Sequence, residues 1–297
     1  MRPLNKIYSV VVRSTHSSVR RIVLDAVELP EWLEMLRRVE VTDRVRNDPR
    51  SQGDTLFGLD MDQAFAAIGG GQADFNTQCG DLSPDDLALL YAYQNQKGHL
   101  EELVSAFGQL LAGAGPVNPI VVDIGCGPFT GGLALAATLG DDSRFDYIGV
   151  DRADSMRQLG ARLASSDFVP GSVTTHWTPD FDSLQWQQRP GWRDVIVVVS
   201  YLFASPTLDA EALFEDLERL LSRLGRGAVT LLYTNSVREE HNRQFPGFRR
   251  RLEEAEFRLR AEDQGEIVVE RWDGPRERSL YYALLHRPQR RRLVLGE

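Results

Sequence analysis

The chain has 297 residues, 42% hydrophobic and 26% charged, a globular composition that excludes disordered and fibrous classes and has room for about two domains. It carries 34 Lys plus Arg against 43 Asp plus Glu, a formal charge of −9. With two cysteines, Cys79 and Cys126, no apolar run long enough to span a membrane and no secretory leader pattern, it reads as a cytoplasmic globular protein without a disulfide framework or metal site.

In chain order, Ile7 to Val12 alternates like a short strand, and Val19 to Val45 suggests helical turns broken at Pro30. Residues 46–58 are rich in Asn, Asp, Pro, Ser and Gly and read as a loop or a substrate-side flap. A short helix from Met61 ends at Ile68-Gly-Gly-Gly. Ser83 is a good N-cap, followed by Pro84 at the first helical position and by Asp85 and Asp86, which complement the helix dipole. Apolar spacing carries that helix past Gly98 to Leu111, and a Gly/Pro-rich linker follows.

From Ile120 onward, apolar strands alternate with helices, the pattern of parallel βαβ units. The strands are expected at Ile120–Ile124, Tyr147–Val150, Val173–Trp177, Val195–Ser200 and Val229–Tyr233, with a clear helix from Asp209 to Leu224. Glu266–Trp272 and Ser279–Leu285, joined at Asp273-Gly-Pro, read as an antiparallel hairpin. The expected organisation is a mainly helical region over residues 1–115 and an α/β domain over residues 116–297.

The strongest signal is Val121-Val-Asp123-Ile-Gly125-Cys126-Gly127-Pro-Phe-Thr-Gly131-Gly132, a buried strand running into a glycine-rich turn that opens a helix. Gly125 and Gly127 permit backbone conformations and close approach that a Cβ would obstruct. The helix N-terminus offers outward N–H groups to a ligand. The dinucleotide fingerprint places its third glycine three positions after the second, whereas Gly131 follows Gly127 by four. Asp123 beside the turn would repel a pyrophosphate and suit a cationic amino-acid group.

This stretch resembles the first motif, D/E-x-G-x-G-x-x-x-G, of the class I S-adenosylmethionine-dependent methyltransferases. The resemblance covers about residues 115–297. It implies a Rossmann-like, mostly parallel seven-stranded sheet ending in an antiparallel strand, with S-adenosylmethionine as cofactor and S-adenosylhomocysteine as product. It assigns Asp123, Gly125, Cys126 and Gly127 to the cofactor turn, with Cys126 packing rather than reacting. Asp151, at the end of the next strand, would accept from the ribose hydroxyls, the alternative being a helix cap; Arg152 follows on the same loop. Asp180, with Asp182 as near-equal competitor, would meet the adenine amino group, and Phe181 the ring. Ser200 and Tyr201 fall on the loop facing the reacting methyl.

The acceptor is less legible. The fourth-strand loop reads Ser200-Tyr-Leu-Phe-Ala-Ser-Pro, lacking both the Asn/Asp-Pro-Pro-aromatic motif of many nitrogen methylases and the Pro-Cys nucleophile of cytosine C5 enzymes. Tyr201, His99 and Asn235 are the acceptor-side candidates; Asn95 and His99 share a helical face at i and i+4. Residues 51–240 carry 11 basic and 26 acidic side chains, and the clusters Arg249–Arg251 and Arg290–Arg292 do not make a basic recognition domain. A small-molecule acceptor is therefore favoured over RNA or protein, with nucleic acid disfavoured and no membrane partner expected. A non-catalytic binding or assembly subunit and a nicotinamide-dependent oxidoreductase are the other classes. Residues 1–115 are open to a lid, acceptor-pocket, dimer-interface or partner-binding role, so a homo-oligomer is compatible with the sequence.

Overall fold

The computed structural model describes residues 23–24, 27–111, 116–141, 143–187, 191–271 and 274–289. The expected strand at Ile7–Val12 and the Arg290–Arg292 cluster lie outside them.

Eight strands form one sheet: β1 (Val23–Leu24), β2 (Ile120–Ile124), β3 (Arg144–Val150), β4 (Ser172–Thr178), β5 (Val195–Ser200), β6 (Val229–Ser236), β7 (Arg258–Arg271) and β8 (Gly274–Arg287). Their order is β1-β7-β8-β6-β5-β2-β3-β4. Strands β2 to β6 are mutually parallel where they pair, and β8 enters antiparallel between β6 and β7. The seven expected strands are present. The two-residue β1 is an addition, paired in parallel to β7 in a segment read from sequence as helical turns. Local periodicity there is overridden by the open β7 edge, which offers unpaired backbone groups.

Period-2 alternation divides the strand residues between two cores. Val121, Tyr147, Ile196 and Val198 face a cluster that also contains the helices α1 (Glu31–Arg37), α4 (Pro84–Tyr91), α5 (Lys97–Leu110), α6 (Thr130–Leu139) and α7 (Asp154–Ala164). Val122, Ile148, Val197 and Leu231 face the other core, with α8 (Ala210–Leu224) and α10 (Phe245–Glu254). The helices before the linker thus share a core with the sheet. Pro30 opens α1 rather than interrupting a longer helix, because its ring is tolerated only where no intrahelical N–H is needed. Short helices complete the chain: α2 (Asp43–Arg46), α3 (Met61–Ala67) and α9 (Glu239–Asn242).

Ser83 caps α4 as the sequence predicts, and Asp86 closes a reciprocal box with it. Helices α4 and α5 run on through a wider π turn at Ala92–Gln96. This turn aims Gln96 inward, where its Oε1 accepts from the buried Arg37 guanidinium at 2.8 Å and its Nε2 donates to the Pro128 carbonyl at 2.8 Å. Burial pulls the Arg37 pKa down to about 10, opposed by neighbouring carboxylates, so it remains charged at neutral pH and needs its acceptors. The Arg249–Arg251 cluster is a solvated, ion-paired helix face: Arg249 pairs with Glu253 and Glu262, and Arg251 with Glu211 and Glu254.

Replacing Gln96 by Met keeps much of the volume but removes the acceptor of a buried cation. The expected loss is about 1.5–3 kcal/mol in urea unfolding, the range for a hydrogen bond to a charged group. An unchanged midpoint and slope would show that the Arg37–Gln96 contact carries no net stability.

Candidate functional site

At the C-terminal end of β2 the chain turns through Gly125 and Gly127, both left-handed (φ +69° and +51°), before entering α6. The N–H groups of Gly125 and Cys126 donate to the Val150 carbonyl at 2.8 and 3.2 Å, tying the turn to the end of β3. Asp151 completes the tie. Its Oδ2 accepts from Gly127 N–H and its Oδ1 from Ala153 N–H, each at 2.9 Å. Burial pushes the Asp151 carboxyl up, against the backbone N–H groups and nearby arginines that stabilise its anion. It accepts from the loop before α7, whose N-cap residue is Ala153.

Asp123, expected at the cofactor turn, does not line the cavity above that turn. It is 2% exposed and accepts the Tyr147 hydroxyl at 2.7 Å, with the Gly131 N–H as a second donor. A Cβ at Gly131 would collide with its Oδ2, so the third glycine of the motif makes room for this carboxyl group. Burial raises the Asp123 pKa from the ordinary 3.8 to about 7, with the Tyr147 hydrogen bond opposing. The side chain of Cys126 is likewise buried, and burial pushes its thiol well up, consistent with packing.

A cavity of about 340 Å³ opens above the turn. Among the sequence-derived candidates it is lined by Gly125, Gly127, Asp151, Arg152, Ser200 and Tyr201. Asp180 and Phe181 do not line it. Asp180 is exposed and holds a turn by accepting Ser183 N–H at 2.7 Å, while Phe181 belongs to the core on the α8 side of the sheet. Gly71 to Phe75, which sequence reasoning missed, line it together with Tyr91. This wall is anchored on the start of α7, where Ser155 Oγ donates to the Phe75 carbonyl at 2.6 Å and Asp154 N–H donates to Asn76 Oδ1 at 2.9 Å. The triple glycine was the available signal. A Cβ at Gly71 would meet Asn95 Nδ2 at 2.9 Å and the Tyr91 ring at 3.2 Å, so the segment lies flat on α4 only without one.

A second cavity, about 420 Å³, shares Gly71, Gln72, Tyr91 and Tyr201 with the first. Its other walls include Asn95, His99, Arg238, His241 and Arg278. Tyr91, Asn95 and His99 all reach it although Tyr91 and His99 are eight positions apart. The π turn takes more residues per revolution than the 3.6 of an α-helix and brings them nearly to one side. Lys97 points elsewhere and pairs with Glu34 at 3.2 Å. The His99 ring stacks on Tyr201 at 4.3 Å, and its Nδ1 lies 3.2 Å from the Tyr91 hydroxyl. Arg278 donates to the Tyr201 hydroxyl at 3.2 Å and pairs with the buried Glu102 at 3.1 Å. Tyr201 is held at a left-handed φ of +57°, a conformation uncommon for a bulky residue. Burial pushes both tyrosine hydroxyls up, so both are protonated at neutral pH and act as hydrogen-bonding groups, not as bases. Asn235 lines neither cavity. It is fully buried, donating to Tyr233 Oη at 3.1 Å and the His241 carbonyl at 3.0 Å.

No protein-family profile matches the sequence, and no curated protein matches it. Solved structures do. Magnesium protoporphyrin IX methyltransferase from Synechocystis, determined with bound S-adenosylmethionine, is 16% identical at a TM-score of 0.45, over 76% of this chain and 94% of that one. A protein solved in work on the conversion of a disulfide bond into a thioacetal group during echinomycin biosynthesis is 15% identical at 0.45, over 77% and 93%. A methyltransferase from Methanosarcina mazei is 14% identical at 0.40, over 58% and 94%. At these identities and TM-scores the likeness carries no argument. The strand order stands by itself: five parallel strands in the order β4-β3-β2-β5-β6, followed by the antiparallel β8, make a Rossmann-like sheet.

Among the described residues, no group of three or more His, Cys, Asp or Glu is placed to hold a metal, and no helix is long and apolar enough to cross a membrane.

Asp123 makes a signed prediction. Between about pH 4 and 7 the folded chain holds a proton that the unfolded chain has released. Its contribution to stability is therefore greatest below pH 4, falls as pH rises to about 7, and is flat above. The difference in unfolding free energy between wild type and Asp123→Asn should follow that slope across pH 4–8. A pH-independent difference would place the carboxyl's pKa in the ordinary range.

Proposed function

We propose that the chain is an S-adenosylmethionine-dependent methyltransferase, with the cofactor in the first cavity and a small-molecule acceptor in the second. One observation carries the reading: a cavity over the glycine turn, with Asp151 in its lining, adjoins a second cavity with which it shares Gly71, Gln72, Tyr91 and Tyr201.

The residues fit the cofactor. A carboxylate has about four lone-pair positions, and the two backbone N–H groups use two of those on Asp151, leaving acceptors for a ribose diol. Asp74, Asp151 and Asp209 line the same space and suit a molecule carrying a sulfonium and an ammonium group. Gly125, Gly127, Arg152 and Ser200 complete the contact. The bound cofactor supplies an electrophilic methyl carbon with an activated leaving group, and the protein's task is then alignment and water exclusion.

Residues 1–115 supply the lid and acceptor wall through the 71–75 segment, Tyr91, Asn95 and His99, and residues 116–297 supply the cofactor domain. Tyr201 orients the acceptor. Where the acceptor must lose a proton, His99, stacked on Tyr201, is the group to take it. A second cavity of about 420 Å³ rather than a broad basic face favours a small molecule over RNA or protein.

Thermal unfolding tests the cofactor. A ligand at about 100 times its Kd adds roughly 2.7 kcal/mol, or several degrees for a chain of this size. S-adenosylmethionine and S-adenosylhomocysteine should both raise Tm, NAD should not, and Asp151→Ala should abolish the shift. Asp151→Asn, which keeps one backbone acceptor, should weaken it and guards against a folding defect. No shift from either sulfur ligand would overturn the proposal and favour a non-catalytic subunit.

A further inference from the structure

The two cavities differ in the charged side chains that line them. Asp74, Asp151 and Asp209 line the first, against the single cation Arg152. Among the described residues the second is lined by the cations Arg238 and Arg278 and by no carboxylate, although Glu102 backs Arg278 from outside the lining and Glu239 and Glu240 follow Arg238 in the chain. Guanidinium groups in one lining and carboxylates in the other suit two ligands that present opposite charges.

The two arginines differ in what holds them. Arg278, on β8, is fixed from behind by Glu102, whose side chain is 1% exposed, and from the side by the Tyr201 hydroxyl. Its guanidinium is thus pre-set at the wall shared with the first cavity. A guanidinium has five N–H donors, more than one carboxylate and one phenol use. Arg238 stands on the exposed turn between β6 and α9 and forms no ion pair with a described residue. Glu239 and Glu240 follow it in α9 but neither pairs with it, so its guanidinium is available to the cavity, while Arg278, paired with Glu102, supplies geometry. Planar guanidinium groups match the paired oxygens of carboxylates and phosphates.

We propose that the methyl acceptor is a small oxyanion-bearing molecule, a carboxylate or a phosphate monoester, whose anionic group sits on Arg238 and Arg278 while its nucleophile faces the Tyr91–Tyr201 wall. This rests on the methyltransferase reading but is tested separately from it. The acidic first cavity repels such a molecule and the second attracts it, so each ligand is directed to its own side.

Saturation-transfer NMR on the whole chain, with and without S-adenosylhomocysteine, can screen small carboxylates and phosphate monoesters against their neutral amides and alcohols. Named pairs are 3,4-dihydroxybenzoate with its amide, and glycerol 3-phosphate with glycerol; the two sets distinguish the anion. The anionic member of at least one class should bind about tenfold more tightly than its neutral partner, more so at low salt. Arg238→Gln should remove most of that preference, and Arg238→Glu should reverse it. Arg278→Gln should act similarly, but the exposed Arg238 keeps the test decisive if that variant does not fold. Equal binding of neutral partners, no anion bound at millimolar concentration, or an unaltered preference in Arg238→Gln would overturn the proposal. If S-adenosylhomocysteine still raises Tm, only the acceptor assignment falls; if it does not, the cofactor reading fails on its own evidence.

Discussion

The Asp151 carboxylate joins two backbone segments that would otherwise end independently. One oxygen takes the N–H of Gly127 from the turn after β2, the other the N–H of Ala153 from the loop before α7. Adjacent parallel strands bring these segments side by side, with Asp123 opposite Gly149 and Ile124 opposite Val150. Since the site opens at the C-terminal ends of the strands, this single side chain sets both the floor of the first cavity and the starting point of α7. Everything above it is measured from there: the 71–75 segment is hung on Asp154 and Ser155, and its far edge becomes the wall of the second cavity.

The region before the linker is built into this arrangement rather than appended to it. Gln96 contacts the turn directly through the Pro128 carbonyl and is itself held by Arg37. A buried guanidinium is a costly way to hold an amide unless the position matters, because its loss of hydration must be met by fixed acceptors. The π turn that sends Gln96 inward also brings Tyr91, Asn95 and His99 to one side, so one local irregularity serves the core and the cavity together.

The α/β domain was readable because its signals are local. Segments of four to six residues, mostly apolar or β-branched and separated by helical periodicity, mark β2 to β6, and the Gly125–Gly127 turn follows from backbone demands that only glycine meets at low cost. The residue roles at the motif were less readable. Asp123 belongs to the pattern that suggests a ligand contact, yet Tyr147, 24 positions away, takes its oxygen and buries it. Asp180 and Asn235 were similarly plausible by position, but a turn claims the first and a buried amide network the second. Sequence spacing places a residue at a strand end; whether its side chain turns toward the cavity or the core depends on partners distant in the chain. The same limit applies to what was missed. Gly71 and Arg278 become wall residues only through tertiary contacts with α4 and with Glu102.

The wall between the cavities has properties that follow from its burial. Tyr91 and Tyr201 remain protonated because the phenolate would be desolvated beside the carboxylates of Asp151 and Glu102. They therefore present hydroxyls and apolar ring surface rather than charge to whatever lies on either side. Tyr201 is kept there in an uncommon left-handed backbone conformation, stacked on His99 and bonded to Arg278. Conformations of that kind persist where surrounding contacts over-determine them. Here those contacts come from both halves of the chain, α5 and β8, so the position of the wall reports how well the helical region and the sheet are seated on each other.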